Sequence, residues 1–348
     1  MAIWKKIKSA LILSCLVMAC GSTDKRQLEI YFLDMVGGAA TLIVTPFGES
    51  ILIDTGSREP EHRDADRIFQ AVQSSRLKQI DHLITTHFHS DHFGGIVRIC
   101  ELVPVKKFYD KGALPPLHEQ ETDWFRKLYP YYIQATKGQA QAIAAGDRIP
   151  LRHDPDSDLP PLSLVCIAAE KRIMGASHDV DAPSEDFEIR PADLSDNGRS
   201  IALVLRWGEF DFFAGGDITW NVEHHLAHPI NIIGTVDLYQ VTHHGLDQSN
   251  NPLLLRALDP AVCVAMNGPR KGIQPRTFAN LQSLDNMRGL YQIHWNTQYG
   301  AGGNAPPSHI ANYDDPDKGR FIKAVVDLKQ HTFDIFVANQ YHATFPLR

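Results

Sequence analysis

Ten consecutive residues, Thr86-His87-Phe88-His89-Ser90-Asp91-His92-Phe93-Gly94-Gly95, limit what this chain can fold into more than any other feature. Three histidines and an aspartate fall within six positions, and imidazole and carboxylate are the donors that zinc and similar divalent ions take. The segment follows directly on Asp81 to Thr85, which reads as a strand. If the backbone turns from extended to helical near Ser90, His87 and His89 project together while Asp91 and His92 swing to a neighbouring point. One loop then serves two adjacent ions. Gly94 and Gly95 let the backbone pass close behind, with no Cβ in the way.

The chain around this loop is built from short apolar runs ending at Gly, Pro and Asp. LEIYFLDM, ATLIVTPFG, ESILIDTG and QIDHLITTH come first. Their length and branched aliphatic content predict strands buried in a sheet. Between Asp64 and Leu77, the spacing of Ile68, Ala71, Val72 and Leu77 predicts a helix. A strand is expected near Lys106 to Tyr109, then a helical segment from Glu119 to Ala145. In the second half LSLVCIAA, SIALVLRWG, EFDFFAGGD, DLYQVTHHG and AVCVAMNG are strand candidates, with helices at Pro252 to Leu258 and Phe278 to Leu284. GRFIKAVVDL and TFDIFVA look like a closing hairpin that completes the sheet. The Asp- and Pro-rich stretches at His153 to Pro161 and Asp179 to Pro191 read as surface loops. Two halves of this style predict an α/β fold, an αββα sandwich forming a single domain over residues 28–348.

The formal net charge of −7 becomes −10 once the three lysines of the first nineteen residues are set aside. A general polyanion binder needs a basic footprint, so nucleic acid is not the favoured partner. Lys5, Lys6 and Lys8, the apolar stretch Ala10 to Ala19 and then Cys20 read as a targeting segment too short to span a bilayer comfortably. Val17-Met18-Ala19-Cys20 resembles the lipobox of bacterial lipoproteins, although Met18 departs from the usual pattern. The resemblance implies a signal over residues 1–20, a lipidated Cys20, a linker over 21–27 and membrane attachment in the cell envelope. Gly21 implies outer-membrane sorting, facing the periplasm, in a Gram-negative host. A plain secretory signal or an uncleaved anchor is the alternative. Cys100, Cys166 and Cys263 sit in apolar stretches, odd in number and without CxxC spacing, which predicts buried free thiols rather than disulfides.

The H-x-H-x-D-H-x-G-G pattern resembles the signature of the metallo-β-lactamase superfamily. Asp54 in ILIDTG, Asp217 in FFAGGDI, and His243 with His244 in VTHHG follow in the order that superfamily uses. The runs Ala145-Gly146-Asp147-Arg148-Ile149, SIALVLRWGEFDFFAGGDI, THHG and AVCVAMNG further resemble the hydrolase domain of the competence protein ComEC. The resemblance implies two divalent ions, zinc first with manganese or iron as alternatives, and a bridging hydroxide that hydrolyses a phosphoester, most plausibly a phosphodiester. By resemblance His87, His89 and Asp217 hold one ion, and Asp91, His92, His243 and Asp217 the other. Asp91, His244 and Asp54 are the catalytic candidates, the last two for orienting ligands or transferring protons. Where lactamases and glyoxalase-type enzymes carry a further histidine, this chain has Asp196-Asn197-Gly198-Arg199-Ser200, so water, Asp196 or Asn197 fills that place. Small-molecule and polymeric phosphoesters both remain open, and the oligomeric state is not legible.

Each assignment has a plainer reading: a histidine-rich surface turn for the loop, an ordinary strand exit for Asp54, a turn carboxylate for Asp217. His243 and His244, if on one strand, face opposite ways, and His243 is the preferred ligand. His178 and His294 are candidates for lining the cleft; His62, His82, His118, His153, His224, His225, His228 and His331 read as solvated or structural. Trp124, Phe125, Tyr129, Tyr131 and Tyr132 form either a substrate wall or the packed face of a helix. A lactamase- or lactonase-type amide or ester hydrolase is the rival activity, and a metal-stabilised envelope accessory for DNA uptake the rival without catalysis.

Overall fold

In the computed structural model, which describes residues 26–58, 60–176 and 190–348, the apolar runs stack as two sheets. The targeting segment, His178 and most of the 179–191 loop lie outside the described residues. The first sheet takes β1 (Leu28–Phe32), β2 (Thr41–Val44), β3 (Ser50–Ile53), β4 (Ile80–Ile84), β5 (Val105–Asp110) and β6 (Gln141–Ala142). The second takes β7 (Arg148–Ile149), β8 (Leu162–Ala169), β9 (Arg172–Ile173), β10 (Ala202–Trp207), β11 (Phe210–Ala214), β12 (Leu238–Gln240), β13 (Val262–Ala265), β14 (Gly289–His294) and β15 (Ile310–Asn312). The chain then returns to the first sheet with β16 (Ile322–Asp327), β17 (Thr332–Val337) and β18 (Gln340–Pro346), and β16 pairs antiparallel with β1, Leu28 opposite Val326. The closing hairpin therefore completes the first sheet as expected, with one strand more than the sequence suggested.

Alternation explains why these runs are apolar throughout. Ile51 and Ile53 of β3 point into the core between the sheets while Leu52 points outward; Leu203 and Leu205 of β10 point inward while Ala202 and Val204 point outward. Along these central strands both faces of the sheet are covered, so both parities are apolar, whereas β17 at the edge alternates buried and half-buried positions. On the outer face of the first sheet lie α1 (Arg63–Ser74), α2 (Ser90–Phe93), α3 (Ile96–Leu102), α4 (Leu117–Gln120) and α5 (Asp123–Thr136). On the outer face of the second lie α6 (Trp220–Ala227), α7 (Pro252–Leu258) and α8 (Pro275–Gln282). Each buried Leu, Ile or Phe in these layers contributes about 1.5–3 kcal/mol. This is the expected αββα sandwich, and Cys166 and Cys263 are buried free thiols within it, with Cys100 half-buried.

Strand direction places the site. β3, β4 and β5 run parallel, as do β11, β12, β13 and β14. Asp54, His87, Asp217, His243 and Met266 each follow the carboxyl end of one of these strands, so five separate chain segments arrive at one edge of the sandwich, as open parallel sheets commonly arrange. Across the gap between the sheets, the Ile201 N–H donates to the Thr86 carbonyl at 3.0 Å.

Candidate metal centre

The loop after β4 behaves as its sequence predicts. His89 is extended at φ −86°, ψ 147°, and α2 begins at Ser90. Gly95 packs so closely that a Cβ there would lie 2.2 Å from the Thr55 carbonyl oxygen, and at Gly94 one would lie 2.6 Å from the Arg58 nitrogen. These two glycines allow the strand exit after β3 to run directly behind the loop.

Asp54 occupies that exit in the left-handed region, φ 63°. One carboxylate oxygen accepts the Thr86 N–H at 2.8 Å; the other accepts the Thr86 hydroxyl at 2.8 Å and lies 2.7 Å from His92 Nδ1. On the far side, His92 Nε2 is 3.2 Å from Asp217 Oδ2 and 3.3 Å from His244 Nε2. His244 Nδ1 faces the Met266 carbonyl at 3.2 Å. Asp54 and that carbonyl can only accept, so Nδ1 of both rings carries a proton and both Nε2 atoms turn toward the Asp217 carboxylate.

Two groups of donors result. His87, His92 and Asp217 form one, and Asp91, His92 and His244 the other; within each, donor atoms lie within 4.8 Å of one another. His87 Nε2 is buried and meets no hydrogen-bond partner among the described residues. An orphaned imidazole nitrogen, inward-turned lone pairs and a buried Asp217 carboxylate flanked by His92, His243 and His244 fit a bound cation, with Lys271 pairing to Asp91 at the rim. Burial works to lower His92, but the Asp217 and Asp54 carboxylates on either side hold it well above its ordinary value, while Asp217 and His87 take the forms a metal needs. Burial alone would raise the Asp217 carboxyl, but His92, His244 and His243 outweigh it and hold it well below the usual carboxylate range. Burial, with His92 and His89 beside it, holds His87 neutral. Ionised carboxylate and neutral imidazole are the forms that donate to a metal.

Four expectations need correction. His243 and His244 do not alternate on a strand: they occupy a tight turn after β12, at φ 54° and 55°, so neither excludes the other. His244, expected behind the ligands, shares the group with Asp91 and His92, whereas His243 Nε2 lies 3.5 Å from Asp217 and 3.3 Å from Asn197 Nδ2. Asp196 is not offered as an oxygen donor, because one oxygen accepts the Phe88 N–H at 2.8 Å and the other pairs with buried Lys111 at 3.0 Å. It clamps the metal-binding loop from behind. His294, a candidate for lining the cleft, is buried and bonds to Asp34 at 2.6 Å.

Sequence reasoning missed Glu119 and Lys271. The Glu119 carboxylate lies 3.3 Å from His89 Nε2 and accepts the Asp196 N–H. Burial works to lower His89, yet Glu119 raises it above its ordinary value. The Lys271 ammonium reaches Asp91 from the solvent side. Of the aromatic group, Trp124 meets His89 edge to face at 5.8 Å, whereas Phe125 and Tyr132 are buried, and Tyr129 and Tyr132 pack edge-on against Phe88. Most of this group is helix core, leaving Trp124 at the wall. Tyr131 lies under the Arg58 guanidinium at 4.6 Å.

Over residues 33–230 the chain matches the metallo-beta-lactamase superfamily model, more than half of its 348 residues, and it belongs to that superfamily. No curated protein matches it. Among solved structures it is similar to a protein of Parabacteroides distasonis described as a metal-dependent hydrolase, with 13% identity, TM-score 0.41, 76% of this chain and 92% of that one covered. It is also similar to CmlA, a diiron beta-hydroxylase from Streptomyces venezuelae, with 17% identity, TM-score 0.35 and coverage of 68% and 44%, so it spans less than half of that protein's length. A diphosphatase of the PhnP family shows 12% identity, TM-score 0.36 and coverage of 70% and 87%.

Proposed function

We propose that this chain is an exported hydrolase of the ComEC-like branch that uses two divalent ions to cleave a phosphoester of the phosphodiester class. The observation that carries the reading is the convergence of two donor groups that share His92, on either side of the Asp217 carboxylate, with a lysine at the rim. His87, His89 and Asp217 would hold one ion and Asp91, His92, His244 and Asp217 the other. Such a pair supplies an activated water and a clamp for the phosphoryl oxygens. Imidazole and carboxylate donors without thiolate suit zinc, manganese or iron.

The chain's own residues do the orienting. Asp54 takes the His92 Nδ1 proton and the Met266 carbonyl takes that of His244, so each ring presents Nε2. Glu119 does the reverse for His89: it accepts at Nε2 and leaves Nδ1 as the free donor. Asp196 and Thr86 tie the loop backbone in place from opposite sides. Lys271, paired with Asp91 and partly solvent-facing, puts positive charge where a phosphodiester anion would enter.

The test is turnover of bis-(p-nitrophenyl) phosphate by the full chain loaded with zinc or manganese, beside a His89→Ala control. Turnover no higher than the control would overturn the phosphoester reading, and turnover of nitrocefin or an acyl-lactone instead would install the lactamase-type alternative. Export and a lipid anchor are supported by the first twenty residues. Mass spectrometry of the mature protein should find a diacylglyceryl group on Cys20, and an unmodified, uncleaved N-terminus would remove that part of the proposal.

A further inference from the structure

We infer that the tandem histidines divide between the two ions: His244 completes the site of Asp91 and His92, and His243, beside Asn197, completes the site of His87 and His89. The inference rests on the paired-ion reading above and assigns His243 a role that reading leaves open.

Geometry is the ground for it. Consecutive residues on a strand would send their rings to opposite faces, but two successive left-handed residues swing both toward the same carboxylate. His243 Nε2 and His244 Nε2 lie 3.5 and 3.4 Å from the same atom, Asp217 Oδ2. The turn is fixed from outside: the His243 N–H donates to the Gly216 carbonyl at 3.0 Å, and the His244 carbonyl accepts from Ile273 at 3.1 Å. Each ring's Nδ1 is engaged on the far side. For His243 the partner is Ser249 Oγ at 3.1 Å, and that hydroxyl already donates to the Ile218 carbonyl at 2.7 Å. Ser249 Oγ can therefore only accept, His243 Nδ1 carries the proton, and Nε2 is a lone-pair donor.

Its direction is toward the ion that lacks ligands. With His92 counted to the second group beside Asp91 and His244, the first group keeps only His87 and Asp217, to which the proposed reading adds His89. Tetrahedral zinc takes at least three protein donors, and a shared carboxylate leaves room for one more. The Asn197 amide touches His243 Nε2 at 3.3 Å, and its own oxygen is buried with no partner among the described residues, so it stands beside the same point.

The experiment strips the full chain with a chelator, reloads it with Co2+, and reads bound cobalt per chain together with the visible d–d spectrum. Wild type should hold two ions. His243→Ala and the milder His243→Gln should saturate at one, with the part of the spectrum belonging to the His87–His89 site lost. His244→Ala should also saturate at one, with the other part lost, and Asn197→Ala should keep two. Two ions in both His243 variants, with an unchanged spectrum, would overturn the assignment. So would two ions bound roughly 10–100-fold more weakly with the same spectrum, since that is the signature of an outer support rather than a ligand. A wild-type content of one ion or none is a distinct result: it removes the paired centre, and this inference with it. Circular dichroism identifies variants that have failed to fold, and the two His243 replacements make the reading independent of either.

Discussion

Replacing Asp54 by Asn isolates how a residue outside the ligand set controls the centre. The left-handed backbone at φ 63° suits Asn as well as Asp, so the turn survives and only the acceptor chemistry changes. The carboxylate now takes three hydrogens: from the Thr86 N–H and hydroxyl at 2.8 Å each, and from His92 Nδ1 at 2.7 Å. An amide has one acceptor. If its oxygen keeps the Thr86 N–H, its NH2 faces the Thr86 hydroxyl, which can reverse, and His92 Nδ1, which must then give up its proton. The ring changes tautomer, and Nε2 acquires the hydrogen just where it faces Asp217 and His244. Loss of such a support costs roughly 10–100-fold in metal affinity, and the strained bond network about 1–3 kcal/mol of stability. Competition against a chromophoric chelator should show the second ion weakened and the first nearly unchanged, with thermal melting of the metal-free protein reporting the stability cost. Thr86→Val keeps the Asp54–His92 contact and should weaken binding far less. Wild-type affinity for both ions in Asp54→Asn would refute the reasoning outright.

Glu119→Gln should lower affinity for the first ion about tenfold, because a neutral amide oxygen is a weaker acceptor than the carboxylate oxygen that both His89 Nε2 and the Asp196 N–H now share; equilibrium dialysis measures it, and no change would mean His89 needs no partner. Lys271→Met should raise KM for a phosphodiester by roughly tenfold, about 1.4 kcal/mol, while metal content stays at the wild-type level; a change in metal content instead would make Lys271 a support for Asp91. Burial raises Glu223 to about 7, against the opposing N–H donors of Asn251 and Asn250. The folded state therefore binds a proton that the unfolded state releases near pH 4.5, and stability falls as pH rises through that window. Glu223→Gln should remove that loss, gaining on the order of 1–3 kcal/mol at pH 8 and little at pH 5 in urea denaturation; equal stability of the two proteins at pH 8 would show that Glu223 pairs better than its burial suggests.

Local chemistry was legible without the fold. The spacing in His87 to His92 acts within one strand-to-helix turn, so its geometry follows from a few dihedral angles. The strand exits at Asp54 and Asp217, and the doubly apolar runs, likewise follow from short-range pattern and from the need to cover both faces of each sheet. Tertiary structure alone decided the rest. The sign of φ at two residues turned His243 and His244 from rivals into neighbours. Glu119 meets His89 across 30 positions, and Lys271 meets Asp91 across 180. Asp196, one alternative for the place of the missing histidine, is taken by Lys111 and the loop backbone. A side chain's partner depends on which distant segment packs against it, and nothing in the spacing of residues along the chain encodes that distance.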